Sequence, residues 1–508
     1  METSTNQILS GNLTQDIQQL KVIFDRVFDV VYREFEIGGF KKGVLVFIDE
    51  LVNTESVNSD VLRPLMNYGK NSPQAKNIQI DEIQSFLQNQ VITTSNIKLG
   101  MNIQDVIEDI LLGNTILLID GSQQAIFIGL RKLEKRNIEE PSVEPVVRGP
   151  RDGFTEDLRI NMSLIRRRLK TSKLKMENMK VGRLSKTDIV ITYIDGIVKY
   201  SLVEEIRQRI SRIDIDAIVE SSYIEEITED SIFSIFPQFG VTERPDKLSA
   251  SLLEGHVGII VDNTPMVLIA PQVFFEMMKS TEDYYQQYIV ASFIICIRYL
   301  FLGLSVLLPA VYISLATFHQ GMIPRPLLLT IASSREGVPF PLFIESLLMQ
   351  FFFEGLEEAS IRLPRVAGQT VSIVGGLVIG QTAVQAGIVS AVTVIIISIT
   401  GIASFIIPQF NLAASIRIIR LFMMILGSTL GLYGVFIGLL TVFIHMVKLR
   451  SFGIPFFSPI APLNLSGLKD TFVRAPWWSM ISRPKFMETK DKERMKRTLR
   501  PRTPKNNR

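Results

Sequence analysis

The sequence predicts an α/β cytoplasmic region of two related subdomains, followed by an all-α polytopic membrane domain and a basic tail. Three observations carry that fold class. Mean hydropathy is positive although 21% of the residues are charged, which suits a soluble region joined to an apolar one. LLGNTILLIDGS (111–122) lines up with LLEGHVGIIVDNT (252–264), placing Gly113 on Gly255 and Asp120 on Asp262. Between residues 286 and 447 charges become rare and long apolar runs take over. The expected domains are 1–136 and 137–285 (the second beginning with a linker), a membrane domain over 286–447, and a basic cytoplasmic tail over 448–508.

In the first subdomain, Ile17, Leu20, Ile23, Phe24, Val27, Phe28 and Val31 fall on one side of a helix drawn over 17–35. Residues 44–47 read as a buried strand ending at Asp49, and 54–68 and 103–112 as helices. ILLID and AIFIGL then flank Gly121-Ser122, a hairpin signal. The second subdomain repeats the plan. It has a strand over 189–194 ending at Asp195, helices over 198–210 and 248–254, and a hairpin around Asp262-Asn263-Thr264. A period of roughly 140 residues is too long for a solenoid. Two such lobes either enclose a ligand or form a duplicated scaffold, and likeness between them does not decide which.

Two loops stand out. VRGPRDGFTE (147–156) follows the linker 137–145 and carries the turn dipeptides Gly149-Pro150 and Asp152-Gly153. Thr155 is the expected N-cap of the next helix, with Glu156 and Asp157 in its first turn and Arg166, Arg167, Arg168 and Lys170 at its other end. Acid first and base last suits the helix dipole. The result is either a well-capped surface helix or a basic face for anionic lipid or an acidic partner. In FPQFGVTERPDK (236–247), Pro237, Gly240 and Pro245 argue against a regular element, so Glu243 and Arg244 sit on an irregular loop. That loop is a subunit contact, a coupling element or a plain connector.

In the membrane half, 299–318 is long enough for one span, with Arg298 placed to snorkel to the interface. Pro324, Pro326, Pro339 and Pro341 argue against continuous helix after it. Residues 342–353 are apolar but short, which suits a re-entrant or interfacial segment. Its Glu345 is either an intramembrane acid or a carboxylate facing water beside a tilted helix. Residues 371–408 are nearly uncharged, and a straight helix of that length would reach ~55 Å against an apolar core of ~30 Å. Two spans or one broken helix are expected there, with a last span over 421–446. The basic tail belongs in the cytoplasm. The polar start has no charged-then-apolar leader, so the N-terminus is expected there too. An even number of crossings follows, and four is the expected count, with 342–353 not crossing. That scheme leaves Arg417 and Arg420 outside the last span.

Within 371–390, Ser372, Gly376, Gly380, Ala383 and Gly387 recur at steps of four, four, three and four, a stripe of small residues on one helix face. Gln369, Gln381 and Gln385 place amides near it. Such a stripe either packs helices closely or lines a wet pore or gate. Enzyme signals are missing. The sequence has no Walker loop, Rossmann fingerprint or HExxH motif, and His256, His319 and His445 are scattered. Cys296 is the sole cysteine, so no intrachain disulfide or cysteine metal cluster forms. No catalytic residue, metal or cofactor is expected. A net charge of +3 without a basic aromatic stripe gives no sign of nucleic acid binding.

VRGPRDGFTEDLRINMSLIRRRLK (147–170), FPQFGVTERPDKLSASLLEGHVGIIVDNTP (236–265) and VSIVGGLVIGQTAVQAGIVS (371–390) resemble signature segments of the A subunit of GerA-type spore germinant receptors. The resemblance covers nearly the whole chain in the same order. It marks Arg148, Gly149, Pro150, Arg151, Glu156, Glu243, Arg244 and Pro245 as family-motif loop residues. It implies a multi-pass protein of the bacterial spore inner membrane that works with a permease-like B subunit and a lipoprotein C subunit. It also implies that the assembly senses a small nutrient, chiefly through the B subunit, and commits the spore to germinate. The A subunit is then expected to contact lipid and to homo-oligomerise around an ion path; the alternatives are a non-conducting scaffold that clusters the receptor and a transporter-like subunit that binds the nutrient itself.

Overall fold

A computed structural model describes residues 8–67, 97–132, 140–141, 144–362, 376, 378, 380–465 and 467–496. The chain divides into two compact units. One comprises 1–229, 241–271 and 482–494, and the other 230–240, 272–481 and 495–508.

The first unit is α/β and holds two five-stranded sheets of the same strand order. In the first lobe the elements are α1 (Leu13–Ile23), β1 (Val30–Ile37), β2 (Lys41–Ile48), β3 (Ile97–Gly100), α2 (Ile103–Leu111), β4 (Thr115–Ile119) and β5 (Ala125–Ile128). The second holds α3 (Leu158–Arg168), β6 (Leu174–Val181), β7 (Thr187–Ile194), α4 (Tyr200–Ser211), α5 (Ser222–Thr228), β8 (Gly240–Thr242), α6 (Pro245–Glu254), β9 (Val257–Val261) and β10 (Val267–Ala270). Strand order is β1-β2-β4-β5-β3 in one sheet and β6-β7-β9-β10-β8 in the other. The duplication inferred from 111–122 and 252–264 is thus a duplication of fold. The aligned Gly113 and Gly255 both take left-handed φ, +83° and +99°, just past a helix end.

Strands β2, β4, β9 and β10 are buried on both faces almost throughout, which is why their apolar runs were legible. The edge strands β1 and β6 were not. Residues 17–35 break into α1 and β1: the helix ends at its C-cap Phe24, Arg26 takes φ +58°, and VVYREFEI, with Val30, Phe35 and Ile37 buried, pairs with β2. The helix expected over 54–68 is present as three short consecutive turns over 54–67. Asp157, not Thr155, caps α3, accepting from the amides of Arg159 and Ile160.

The second unit is helical: α7 (Tyr288–Phe318), α8 (Arg325–Arg335), α9 (Leu342–Arg362), α10 (Ala391–Ser404) and α11 (Phe410–Lys448). Among the described residues, α7 and α11 are long and apolar enough to cross a membrane. Several expectations change here. Helix α7 begins eleven residues before Tyr299, and Arg298 does not snorkel. It is buried, and its guanidinium pairs with both oxygens of Asp283 at 2.7 and 3.1 Å. The prolines near 324–341 bracket α8 instead of abolishing helix, since Pro326 falls in its first turn. Helix α9 runs 21 residues, past the twelve expected.

Gly431 interrupts α11 with φ +63° and ψ −148°, a conformation open only to glycine. The chain reverses there. A Cβ on Gly438 would lie 2.6 Å from Met423 Sδ and 2.8 Å from Leu426 Cδ1, whereas a straight helix would hold residues 423 and 438 more than ~20 Å apart. The segments 410–430 and 432–448 are therefore an antiparallel pair. The tail is also folded. Phe456 and Phe457 join the aromatic core around Phe274 and Phe275. Residues 482–494 belong to the α/β unit, where Arg494 pairs with Glu254.

Arg166 was expected at the surface, on a well-capped helix or as part of a basic face. It is instead 1% exposed and forms a two-pronged pair with Asp29 of the first lobe, Nε to Oδ2 and Nη2 to Oδ1, both 2.9 Å. Its Nη1 donates to the Leu174 carbonyl. Backbone bonds between Met176 and residues 26 and 28 continue the junction. Removing one partner strands a buried charge. Asp29→Ala should therefore destabilise the α/β unit by about 3–5 kcal/mol, and Asp29→Leu with Arg166→Met should recover most of it; urea unfolding measures both. A second outcome concerns Glu225 on α5. Burial, reinforced by Glu229 and Glu220, pushes its carboxyl up to about 7. The folded form then holds the proton more tightly than the unfolded one. The associated stability is complete below the unfolded pKa and is lost as pH rises through about 7. The urea midpoint should fall between pH 5 and pH 8, and Glu225→Gln should flatten that fall.

Candidate functional site

The helical unit turns a row of polar side chains along α9 inward, with Ser346, Gln350 and Glu357 buried and Glu354 half-buried. Ser346, Gln350, Glu354 and Glu357 recur at steps of four, four and three, so they share one face. Glu345 lies beside Ser346, turned toward α10. Ser346 is 1% exposed and Glu345 0%. An ionised or amide group in such an interior needs partners, and the two ends of α9 supply them differently.

At the N-terminal end, the Glu345 carboxyl lies at the start of α10. Its Oε1 accepts from the backbone N–H of Ser390 at 2.6 Å and from its hydroxyl at 2.5 Å. Ser390 is itself the N-cap of α10, accepting from the amide of Thr393. A carboxylate there meets both free N–H groups and the positive end of the helix dipole. Arg335, at the end of α8, brings Nε to 3.4 Å from Oε2. Thr393 Oγ1 lies 3.0 Å from the Ser390 hydroxyl and 3.5 Å from the hydroxyl of Tyr312 on α7. Glu345 thus faces protein, and the water-facing alternative does not hold.

At the other end, Arg417 and Arg420 of α11, left outside the last span by the sequence reading, lie within α11 and turn inward. Arg417 pairs with Glu357 and reaches Glu354 at 3.4 Å. Arg420, 1% exposed, donates Nε to the Ser305 carbonyl at 2.8 Å and lies 3.7 Å from Glu354. Gln350 donates to Glu354 at 2.7 Å, joining the knot to the row. Several atoms remain open in this core: Ser346 Oγ, Gln350 Oε1, Glu357 Oε2, Arg417 Nε and both Nη atoms of Arg420 have no hydrogen-bond partner among the described residues. Buried donors and acceptors left open side by side are the condition that internal water satisfies.

The small-residue stripe is placed only in part. Ser372 and Gln369 lie outside the described residues. Residues 380–385 are helical, with Gly380 buried, Ala383 half-buried, and Gln381 and Gln385 exposed; Gly376 is exposed. The stripe does not run on to Gly387. The helix stops first, and Gly387 takes φ +65° in a turn against the Gly337 carbonyl. That turn separates the stripe from α10, so the expected break in 371–408 is real. Among the described residues, a Cβ on Gly376 would meet nothing within 4 Å, and one on Gly380 only Val394.

A second stripe, Gly427, Gly431, Gly434 and Gly438, behaves oppositely. All four are buried. A Cβ on Gly427 would lie 2.8 Å from the Ala310 carbonyl oxygen, and one on Gly431 2.8 Å from His319 Cε1. Its steps of four, three and four were as readable as those of the first stripe. Its apolar surroundings made it look like plain span.

The motif loops meet inside the α/β unit. Arg244 is 1% exposed and donates to both oxygens of Asp246, to the Glu144 carbonyl at 3.1 Å and to the Pro150 carbonyl at 2.8 Å. The Glu243 carbonyl accepts from the amide of Phe154. Pro245 starts α6, and β8 is a regular strand where an irregular loop was expected. Arg148, Gly149, Pro150, Arg151 and Glu156 are exposed, so the RGPR turn is presented outward by an anchored base.

Comparison with known proteins places this architecture. The family profile described as Bacillus/Clostridium GerA spore germination protein matches residues 18–486. Membrane protein YfkQ of Bacillus subtilis (strain 168) is 44% identical over 95% of this chain and 93% of its own. Spore germination protein KA of the same organism is 42% identical over 97% and 90%. The crystal structure of the N-terminal domain of the A subunit of the Bacillus megaterium spore germinant receptor GerK3 aligns with 53% of this chain and 98% of that one, at 30% identity and a TM-score of 0.43. With a family match over 18–486 and relatives of this identity along almost all of its length, the chain belongs to the GerA family of spore germination proteins.

Proposed function

We propose that this chain is the integral membrane subunit of a nutrient germinant receptor, that it oligomerises, and that the helix ending at residue 385 lines a shared ion path. The nutrient is bound on a permease-like partner, with a lipoprotein as third subunit, and binding shifts the oligomer between closed and conducting states through its different affinity for the two. The observation that carries this reading is the contrast between the two glycine stripes. One is filled by the chain's own atoms; the other, with Gly376 open among the described residues and Gln381 and Gln385 exposed, supports a contact beyond a single copy. Exposed amides in a hydrocarbon setting call for protein or water opposite them. The Glu345–Ser390 bond, with Arg335 behind it, anchors the turn that ends this helix.

The helices suggest six crossings in place of four. Helix α7 and segment 410–430 run in the same direction, as the contacts Ser305–Arg420 and Ser314–Gly427 indicate. Helix α9 runs against them, from the level of Tyr312 to that of Ser305. Helix α10 runs alongside α9, its start at Glu345 and its later turns at Phe353. With the apolar sequence ending at 385 taken as a further crossing, segment 432–448 completes an even number, which keeps the N-domain and the C-terminal segment in the cytoplasm of the spore.

The test follows from the same contrast. A Cβ on Gly376 meets no atom of the described residues within 4 Å, so the Gly376→Leu variant should accumulate normally while germinant-triggered cation release is blocked or constitutive. Gly438→Leu must displace Met423 and Leu426, so the variant should fail to accumulate, at a cost of about 1–3 kcal/mol or more. Normal accumulation, cation release and germination in Gly376→Leu would remove the pore reading. Loss of receptor abundance in that variant would favour a non-conducting scaffold.

A further inference from the structure

Residues 230–240 belong to the helical unit and begin with a tight turn, Ser231-Ile232-Phe233-Ser234, closed by the Ser234 amide on the Ser231 carbonyl at 3.3 Å. Its two corner positions are where turns ordinarily carry Pro, Asp, Asn, Ser or Gly. Here they carry Ile232, 77% exposed, and Phe233, 97% exposed. The turn is pinned and not loose. The buried Gln238 side chain accepts from the amides of Asp230 and Ser231 and donates to the Ser231 carbonyl. The Ser234 hydroxyl lies 3.1 Å from His445 Nε2, and the Ser415 hydroxyl donates to the Ile235 carbonyl at 2.5 Å. Phe236 stacks on His445.

These anchors fix the level of the turn on the α11 hairpin. Ser415 lies five residues inside the start of α11 and His445 three residues before its end, or ~8 Å and ~5 Å along the axis at 1.5 Å per residue. Apolar side chains of interfacial segments sit ~5–10 Å into the headgroup–acyl boundary. The apolar surface is continuous in kind with the exposed Ile418, Phe443, Ile444 and Val447 of the same hairpin. Exposed Lys448 and Arg450 follow at the same end, at the level where cations meet lipid phosphates.

We propose that the Ile232–Phe233 turn is a lipid anchor: a rigid wedge that enters the headgroup–acyl boundary and fixes the height of the helical unit in the bilayer. The inference rests on the membrane-spanning reading above, and its test separates the two. In the full chain carrying Cys296→Ser, a nitroxide is attached at Phe233→Cys, at Ile232→Cys, or at Phe436→Cys, an exposed position in segment 432–448. The protein is placed in phosphatidylglycerol–phosphatidylcholine vesicles. Collision with oxygen, which partitions into acyl chains, is compared with collision with a water-soluble nickel chelate. The expected result is a ratio shifted toward oxygen at 232 and 233, though less far than at 436. Collision dominated by nickel at 233 with oxygen dominant at 436 overturns the anchor and leaves the span intact. Low collision with both at 233 also overturns it, in favour of a protein partner or a second copy. Nickel dominance at 436 as well overturns the membrane reading and the anchor with it. All three labelled positions are exposed, so the fold survives the substitutions.

Discussion

Charge buried in an apolar interior must be answered, and the helical unit is arranged around that need. Helix α9 carries Glu345, Glu354 and Glu357 into a space otherwise lined by Leu, Ile, Met and Phe. The answers come from other helices. The N-terminus of α10 meets the first carboxylate, and Arg417 and Arg420 of α11 meet the other two. Each answer fixes a helix end or a helix rotation. Helix α10 must begin where Glu345 can reach Ser390, and α11 must turn its two arginines inward. Apolar packing alone is tolerant of sliding; an interhelical ion pair in low dielectric is not. Yet the pairing is incomplete, since several of these atoms have no partner among the described residues. Buried donors and acceptors left open in this way are the condition that internal water satisfies.

The α/β unit solves a related problem once. Two copies of a small sheet meet across Arg166 and Asp29, a pair with 1% and 6% of their side chains exposed. Around it, main-chain bonds at Met176 and the Arg159–Asp49 pair hold the lobes in register. The position of Arg166 in a run of three arginines conceals this role, because neighbours in a helix point in different directions. Arg167 stays on the surface while Arg166 is enclosed.

What could be read beforehand follows a physical divide. Buried central strands such as β4 and β9 announce themselves as uninterrupted apolar runs, and the duplication was visible because glycines and turn aspartates sit at matching places. Edge strand β1 was hidden because VVYREFEI carries charge on its open side and resembles a continuing helix. In the candidate site, Glu345 was legible as an acid in an apolar run. Its partner Ser390 was not, since a serine before a helix is common and nothing local says which carboxylate it serves. Arg417 and Arg420 looked like a boundary because a window over sequence cannot see Glu354 and Glu357 arriving from sixty residues away. The second glycine stripe was readable by spacing; what its spacing lacks is the left-handed turn at Gly431, which a glycine permits without announcing.

Residues 482–494 return to the α/β unit after the chain has built its helical one. Lys199 meets Glu488 there, and Thr489 covers the turn at Gly255. The order of synthesis gives this arrangement a consequence. Chains fold as they emerge, earliest parts first, so the two sheets are available long before the segment that completes their surface. The α/β unit remains unfinished throughout the time the helices are being made, and acquires its last contacts only after them. Completion of the α/β unit is thereby tied to completion of the helical one, and a product truncated within the helices would also carry an exposed seam on its α/β unit, by which quality control can distinguish it.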